Sequence, residues 1–593
     1  MLVFGIGGFG LVRLLLPDAL RRYELLWVLP TGGCAVGLAM TVLGFAAVPY
    51  AVSLPLVLLA GLALGVHAVK RRGWPQRPTL TLAWPIYLAL VVAFVALVPM
   101  LFEIHYATVT GTGDDAHVAA GTANFLKHGY PTSVHPGLPI DRVPPLWKSK
   151  YPIYYAFAAV SSLSGLATWQ VLAPLAAALL AMAALGLFLV VREVFGARPA
   201  IAIAAMALAG LNREALHTGL NPYFNQTWGY FALPFTLVLG WWLVQPGLGG
   251  AARRRVFALL LLFGVVLVFA YPLAAPIPLV PLAVFVWSER RRRIAGGERV
   301  LRARDLYHGR RSLVWIVPLC VLLAIPVAAV LQKAVGAASV LAPGHSLIGW
   351  GGDMRSFIPF NFFLSLPDSV LGNVLALALL YLAFRGLARQ PRALAWGLGG
   401  LLALGLLMSA YLRNRQYGYY FHFKLLAFTG PLIVAAATVG AGRLRRAGPA
   451  LLAVFAVATG ISAFMELKAT GRQLDIATIR LSDWTKQLPA NASIRLDMRP
   501  ADELWAAYFL ASHPVCSQLP LLATDYPHVA LSRKADFILA ASNAGRPADA
   551  VGPPLDTSNF YTLFRESPSV PGVDRCSTRR QSRLFSGADH TKY

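Results

Sequence analysis

The sequence predicts a polytopic α-helical membrane protein of about 13–14 transmembrane helices that ends in a small C-terminal α/β extracytoplasmic domain. Three observations carry this. Of the 593 residues, 57% are hydrophobic and only 13% are charged, where soluble chains run at about 25% charged, and the mean hydropathy is +0.60. Apolar stretches of bilayer length alternate with short runs of arginine and lysine. Beyond about residue 467 the composition becomes ordinary, with short pieces of strand and helix pattern. A purely soluble enzyme is excluded. The formal net charge of +26 does not indicate nucleic acid, because the basic residues sit between apolar stretches and not on one polar face.

A bilayer core takes roughly 17–25 apolar residues per helix. The candidate spans are approximately 1–16, 25–48, 51–69, 82–102, 168–191, 199–212, 228–245, 256–271, 273–287, 312–333, 368–386, 393–412, 424–441 and 448–466. The first carries Arg13 and is the weakest, but it also lacks the basic start and small-residue cleavage site of a signal peptide. Gly5–Gly10 (GIGGFG) lies in this apolar segment and not in a βαβ unit, so it reads as a helix-packing surface. The stretch between Arg255 and Arg290 is tight for two crossings and is broken by Pro272, Pro276, Pro278 and Pro281, which predicts short or re-entrant helices.

The positive-inside rule orients the chain. Arg21–Arg22, Lys70–Arg72, Arg192 with Arg198, Arg253–Arg255, the 290–311 stretch, Arg385/Arg389/Arg392 and Arg443/Arg445/Arg446 mark alternate connections as cytoplasmic. The connections 103–167, 213–227, 334–367 and 413–423 are then external, as is everything after about 467. The expected domains are a membrane-embedded catalytic unit over 1–466 and a soluble α/β unit over 467–593. In the latter, Ala492–Met498, Glu503–Ala511, Ala535–Ala541 and Phe560–Phe564 read as strand or helix. Cys34 and Cys320 fall in apolar spans. Cys516 and Cys576 lie in the polar tail, where they form a disulfide in an oxidising compartment or remain thiols.

There is no P-loop, no dinucleotide GxGxxG after a strand, no HExxH and no CxxC. The cytoplasmic loops are too short for a nucleotide-binding domain, so any chemistry belongs on the outer side, with a substrate delivered through the membrane. ATP and nucleotide-sugars fit that poorly.

The first long external loop opens Gly111-Thr112-Gly113-Asp114-Asp115-Ala116-His117 and continues as a helix with Val118, Thr122, Phe125 and Leu126 on one side, stopping at Lys127-His128-Gly129. The spacing predicts an amphipathic helix lying on the membrane surface or on the bundle. Trp147-Lys148-Ser149-Lys150-Tyr151-Pro152-Ile153-Tyr154-Tyr155 leads into the next span. Two adjacent carboxylates at a helix start, beside lysines and aromatics, make a candidate site lined by His117, Lys148, Lys150 and Tyr154. An aspartate there also suits helix capping, and the two roles can be divided between neighbours. Paired carboxylates resist joint ionisation, which raises one pKa and improves it as a base.

Asp114-Asp115-Ala116-His117, with the helix ending Asn124-Phe125-Leu126-Lys127-His128-Gly129, resembles the Asp-Glu-Ala signature in the first external loop of the GT-C glycosyltransferases. The nearest in pattern are the protein O-mannosyltransferases and the lipid A aminoarabinose transferases. Lys150-Tyr151-Pro152-Ile153-Tyr154-Tyr155 is similar to the Lys-Pro-Pro-Leu-Tyr-Tyr stretch that begins their next span. The match covers roughly 82–245. The resemblance implies a GT-C-like fold and an inverting transfer of a sugar from a polyprenyl-phosphate carrier to an acceptor hydroxyl of a cell-envelope glycan, glycolipid or protein. Asp114 takes the place of the general base and Asp115 that of the assisting acid. Asp115 is one methylene shorter than the family's Glu, and three additional spans precede the loop. The second external loop offers Glu214, His217, Asn221 and Gln226 where relatives place another acid, and His217 and Asn221 are taken as substrate-lining. The residues single out no cofactor, and a divalent metal is left open. The expected setting is a bacterial plasma (inner) membrane, with the site and the C-terminal domain extracytoplasmic. Membrane lipids are partners and nucleic acid is not.

Tyr411–Lys424 breaks the positive-inside pattern, being basic yet external, and interleaves aromatics with Arg413, Arg415 and Lys424. Either it is an aromatic belt with snorkelling cations, or it clamps a phosphate; the latter reading is adopted, with Arg413, Arg415 and Lys424 as donor-phosphate ligands. The Gly344–Arg355 loop with Trp350 is either a flap that stacks on sugar or a plain connection. Two other classes fit part of the pattern. A lipid-linked glycan flippase calls for charges mid-membrane, whereas these cluster at the outer mouth. A polysaccharide polymerase or ligase would rest on arginines and histidines without Asp114 and Asp115.

Overall fold

The computed structural model describes residues 1–75, 80–102, 114–128, 150–296 (save 222, 272, 273 and 275), 356–470 (save 417), 476–489, 492–498, most of 505–517, 533–567 and 574–575. The expected span 312–333, Lys148, Trp350 and Cys576 lie outside the described residues. So do the side chains of Asp114, Asp115, His117 and Cys516.

Every other expected span is a helix. The chain begins with α1 (Leu2–Leu15), α2 (Glu24–Phe45), α3 (Tyr50–Arg72) and α4 (Leu80–Phe102). Two helices that sit between spans follow, α5 (Asp114–His128) and α6 (Tyr151–Ser164), then α7 (Thr168–Leu189) and α8 (Pro199–Gly210). The short α9 (Arg213–Leu220) precedes α10 (Phe224–Leu243), α11 (Gly250–Ala270) and α12 (Pro276–Ala295). Four long helices, Val370–Ala388, Arg392–Arg413, Tyr419–Ala441 and Ala447–Ala469, complete the bundle. Among the described residues, eight helices are long and apolar enough to cross a membrane. This is an integral membrane protein.

The proline-rich pair differs from expectation. α11 and α12 are 21 and 20 residues long, not short, because both run on through their arginine runs. Pro276 and Pro278 fall in the first turn of α12, where the missing N–H breaks no helical bond.

The bundle is layered. α7, α10 and Tyr419–Ala441 are buried almost throughout, whereas α3, α4, Val370–Ala388 and Ala447–Ala469 turn Leu59, Leu90, Leu377 and Ile461 outward. An aromatic knot holds the centre: Trp27 of α2 meets Phe235 edge-on at 5.0 Å, and Phe235 stacks on Phe263 of α11 at 5.1 Å. Small residues let α1 lie against its neighbours as the glycine run predicts. A Cβ on Gly8 would overlap the Val28 carbonyl, and one on Gly32 the carbonyl of Phe4. At the Arg13 end of α1, the guanidinium donates to both Glu24 carboxylate oxygens (2.8 and 2.9 Å) and to the Arg72 and Gly73 carbonyls (2.9 and 2.6 Å). Its charge is therefore neutralised inside the fold, which explains how the first helix tolerates it.

After residue 470 come a helix at Ile476–Trp484 and, among the described residues, the strands β1 (Ile494–Asp497), β2 (Val515–Ser517), β3 (Arg533–Lys534), β4 (Phe537–Ala541), β5 (Ala550–Thr557), β6 (Tyr561–Glu566) and β7 (Asp574–Arg575). β3 pairs with β7, and the others form a mixed sheet of order β2-β1-β4-β6-β5. β1 lies parallel to β2 and β4. β6 runs antiparallel to β4 and to β5. Pro553 and Pro554 fall in β5, an edge strand whose register shifts between Val551 and Asp556, the position in a sheet where proline is tolerated. Beneath the sheet the Glu566 carboxylate accepts from Arg495, from the Ala535 amide (2.6 Å) and from Lys534 (3.4 Å). Burial still pushes its pKa up against the pull of those donors.

Candidate active site

Asp114 and Asp115 are the first two residues of α5, in the turn where the helix dipole favours negative charge. Of the expected stripe, Thr122, Phe125 and Leu126 are buried as the spacing predicts, the Val118 side chain lies outside the described residues, and alanines widen the stripe. Ala116, Ala119, Ala120 and Ala123 are nearly inaccessible, together with Thr122, Phe125 and Leu126. The alanines bring the α5 backbone close to α6 and α7. Two side-chain bonds then fasten it. Lys127 Nζ donates to Ser161 Oγ (2.5 Å), whose own hydroxyl is given to the Leu166 carbonyl (2.6 Å). Thr168 Oγ1 donates to the Ala120 carbonyl (2.9 Å). Burial lowers the pKa of the Lys127 ammonium.

Lys150 immediately precedes α6 and is buried. Tyr154, one turn on, donates to Asn225 Oδ1 of α10 (3.2 Å) and stacks on Phe224. The Asn225 amide nitrogen, fully buried, has no hydrogen-bond partner among the described residues.

The second connection is built as a plug. Asn212 caps α9 by accepting from the Glu214 amide (2.9 Å) and donates to the Phe363 carbonyl (3.0 Å). The Arg213 amide donates to Ser365 Oγ (2.6 Å). Glu466, near the end of Ala447–Ala469, joins the Arg213 guanidinium (3.0 Å) and His217 Nδ1 (2.7 Å). Asn221 Nδ2 lies 3.1 Å from the same imidazole nitrogen. The His217 ring faces Tyr223, Phe362 and Phe423 at 5.9, 5.4 and 6.2 Å.

Lys424 stands next to this group. Its ammonium donates to Gln226 Oε1 (2.5 Å) and lies 4.2 Å from the Tyr223 ring centroid, with Phe423 and Tyr420 at 5.1 and 5.3 Å. Ring quadrupoles and the Gln226 amide oxygen thus take part in holding this cation. Arg413 and Arg415 are elsewhere along the same edge. Arg413 sits 5.8 Å over the Phe357 ring, and Arg415 donates to the Tyr411 hydroxyl (3.0 Å). Of the expected residues, the structure therefore unites His217, Asn221 and Lys424, and separately Tyr154 with α10. Among the described residues no three His, Cys, Asp or Glu side chains are grouped to hold a metal ion.

Glu466 and Tyr230 were not anticipated as part of the site. Glu466 had a signal: a lone carboxylate closing an apolar stretch is expected to meet a partner. Tyr230 had none, since its contact with Glu214 crosses from one helix to the next and its contact with Ala427 spans 197 residues.

No family model and no curated protein sequence matches the chain. Solved structures do. Arabinofuranosyltransferase AftD from Mycobacteria superposes with a TM-score of 0.51 at 14% identity, over 82% of this chain and 40% of AftD. ArnT from Cupriavidus metallidurans bound to undecaprenyl phosphate gives a TM-score of 0.50 at 14% identity, over 83% of this chain and 98% of ArnT. The chain thus spans about 40% of the length of the first and nearly all of the second. The molecule is a polytopic membrane protein of the GT-C fold.

Proposed function

We propose that this chain is an integral membrane inverting glycosyltransferase. It moves a sugar from a polyprenyl-phosphate donor to the hydroxyl of a glycan, glycolipid or protein acceptor, on the extracytoplasmic face of a bacterial inner membrane. The observation that carries the reading is the placing of Asp114 and Asp115 at the start of a helix fastened to α6 and α7 in a chain whose fold is that of ArnT, a protein solved with undecaprenyl phosphate.

In this mechanism Asp114 accepts the proton of the acceptor hydroxyl as its oxygen attacks the anomeric carbon. The bond from that carbon to the phosphate oxygen breaks on the opposite face, and the electron pair leaves with the lipid phosphate. Lys424, assisted along the same edge by Arg413 and Arg415, offsets the charge that develops there. Asp115 orients the base. Lys148, Lys150, His117, Tyr154, His217, Asn221 and Trp350 are assigned to lining the donor and acceptor path. The 467–593 region is assigned to the outer side.

The test is transfer from radiolabelled polyprenyl-phosphate sugars by the purified chain in nanodiscs. Asp114→Asn is expected to lower the rate roughly 10²–10⁴-fold with unchanged thermal unfolding. An undiminished rate removes Asp114 as base. A wild-type chain inert with every polyprenyl-phosphate sugar removes the function.

A further inference from the structure

Between α9, α10 and Tyr419–Ala441 lies a chain of buried polar groups. Glu214, Thr218 and Gln226 are wholly inaccessible and Tyr230 nearly so. Glu214 Oε1 accepts from Thr218 Oγ1 (2.9 Å) and Gln226 Nε2 (3.2 Å), and Oε2 meets the Tyr230 hydroxyl in a short contact. The same hydroxyl reaches the Ala427 carbonyl (2.7 Å).

Proton counting decides the state of this acid. Tyr230 has one hydroxyl proton and two acceptors. Pro431 stands four residues after Ala427 in the same helix and has no N–H to return to that carbonyl, which needs an outside donor in a dry interior. Tyr230 supplies it, so its oxygen is left to accept, and the group closest to it is Glu214 Oε2. A protonated Glu214 satisfies every contact. Burial acts the same way, raising the carboxyl pKa from 4.5 to about 8 against the Thr218 bond and the Lys424 charge. Among the described residues, the charged groups that face it are Lys424 from Tyr419–Ala441 and Glu466 from Ala447–Ala469, the latter already joined to Arg213 and His217 of α9.

The acid also sets the direction of an amide. With Gln226 Nε2 held by Glu214 and by Thr218 Oγ1 (3.2 Å), the amide oxygen must face the Lys424 ammonium. Flipped, it would present N–H groups to a cation.

We propose that Glu214 is a positioning residue, a neutral carboxylic acid that fixes the Gln226 amide and through it the Lys424 ammonium against the donor phosphate. This rests on the reading of Lys424 as a phosphate ligand. It also removes Glu214 from the catalytic acids, since both its oxygens are spent on protein groups.

The experiment measures affinity for undecaprenyl phosphate by the full-length chain in nanodiscs. Glu214→Leu and Lys424→Met are each expected to weaken binding roughly tenfold, and the double variant no further than either. Glu214→Gln, which keeps a donor toward Tyr230 and a carbonyl toward Thr218, restores the wild-type value. Gln226→Leu, which leaves the Glu214–Tyr230 contact intact, loses as much as Glu214→Leu and serves if that variant fails to fold. Additive losses, or a Glu214→Gln variant as weak as Glu214→Leu, overturn the proposal. If the wild-type chain does not bind undecaprenyl phosphate, the donor reading falls, and the relay is read from acylation of Lys424 by acetic anhydride, followed by mass spectrometry. Faster modification in Glu214→Leu and Gln226→Leu, but not in Glu214→Gln, supports the relay, and equal rates in all four chains overturn it.

Discussion

The hydroxyl of Thr168 lies 2.7 Å from that of Tyr508, joining the start of α7 to the region after residue 470. Because Thr168 gives its one proton to the Ala120 carbonyl of α5, Tyr508 is the donor. The edge contact of Trp169 with Phe509 at 5.7 Å reinforces the junction. Tyr508→Phe should cost about 0.5–1.5 kcal/mol. Thr168→Val should cost more, since it also frees the Ala120 contact, and Thr168→Ser should restore both bonds. Thermal unfolding of the purified variants measures this, and additive losses for Tyr508→Phe with Thr168→Val would separate the two residues.

Arg13 and Glu24 form a buried pair, and breaking one side of such a pair leaves a charge without compensation. Glu24→Leu should destabilise the chain by about 3–5 kcal/mol, and the apolar double variant Arg13→Met/Glu24→Leu should recover much of it. Chemical denaturation in detergent reads the difference. A double variant no better than the single one would refute the assignment.

Gly8 and Gly32 allow α1 and α2 to touch along their backbones. Gly32→Ala should force them apart at a cost of about 1–3 kcal/mol, visible as a lowered unfolding temperature. Gly250→Ala, with open space around it, is the matched control and should leave that temperature unchanged.

Glu214 makes stability depend on pH. Its folded-state pKa, about 8, lies above the ordinary 4.5, so the folded chain holds a proton that the unfolded chain releases. The contribution is fully present below about pH 4.5 and is lost as the pH rises through about 8. The slope between them is at most about 1.4 kcal/mol for each pH unit. Glu214→Gln should flatten that fall in thermal unfolding measured from pH 5 to pH 9. A slope identical to wild type would mean that Glu214 is ionised throughout.

Much of the fold was legible because bilayer length and apolar runs are local properties. The helices from α1 to α4, and again from Val370 to Ala469, lie within a few residues of the segments read from sequence. In the tail, strands β1, β4 and β6 fall on apolar segments that announced them. Their order in the sheet depends on pairings across dozens of residues and was not readable. The ends of α11 and α12 were misjudged because arginine was treated as a boundary, although a helix continues through it wherever the side chain reaches the interface. On α5 the burial of Thr122, Phe125 and Leu126 was legible from their spacing, whereas that of the alanines beside them was not, because small size matters only once a neighbour is in place. The site divides the same way. Lys424, His217 and Asn221 stood out by type and position. Glu466 announced by its position that it needed a partner, but the identity of that partner, like the bond of Tyr230 to Ala427, is set by contacts that span about 200 residues or more.

Pro431 is where two matters meet that are usually treated apart. By withholding one amide hydrogen from the turn below it, this imino acid obliges a tyrosine on another helix to turn its hydroxyl toward the gap, and so leaves a glutamic acid without a hydrogen-bond donor from that side. Replace Pro431 with alanine and the helix heals itself. The tyrosine is then released to solvate a carboxylate, and the acid strengthens. The acidity of the second connection thus answers in part to the regularity of a backbone to which it is not covalently adjacent, in addition to the burial that weakens it.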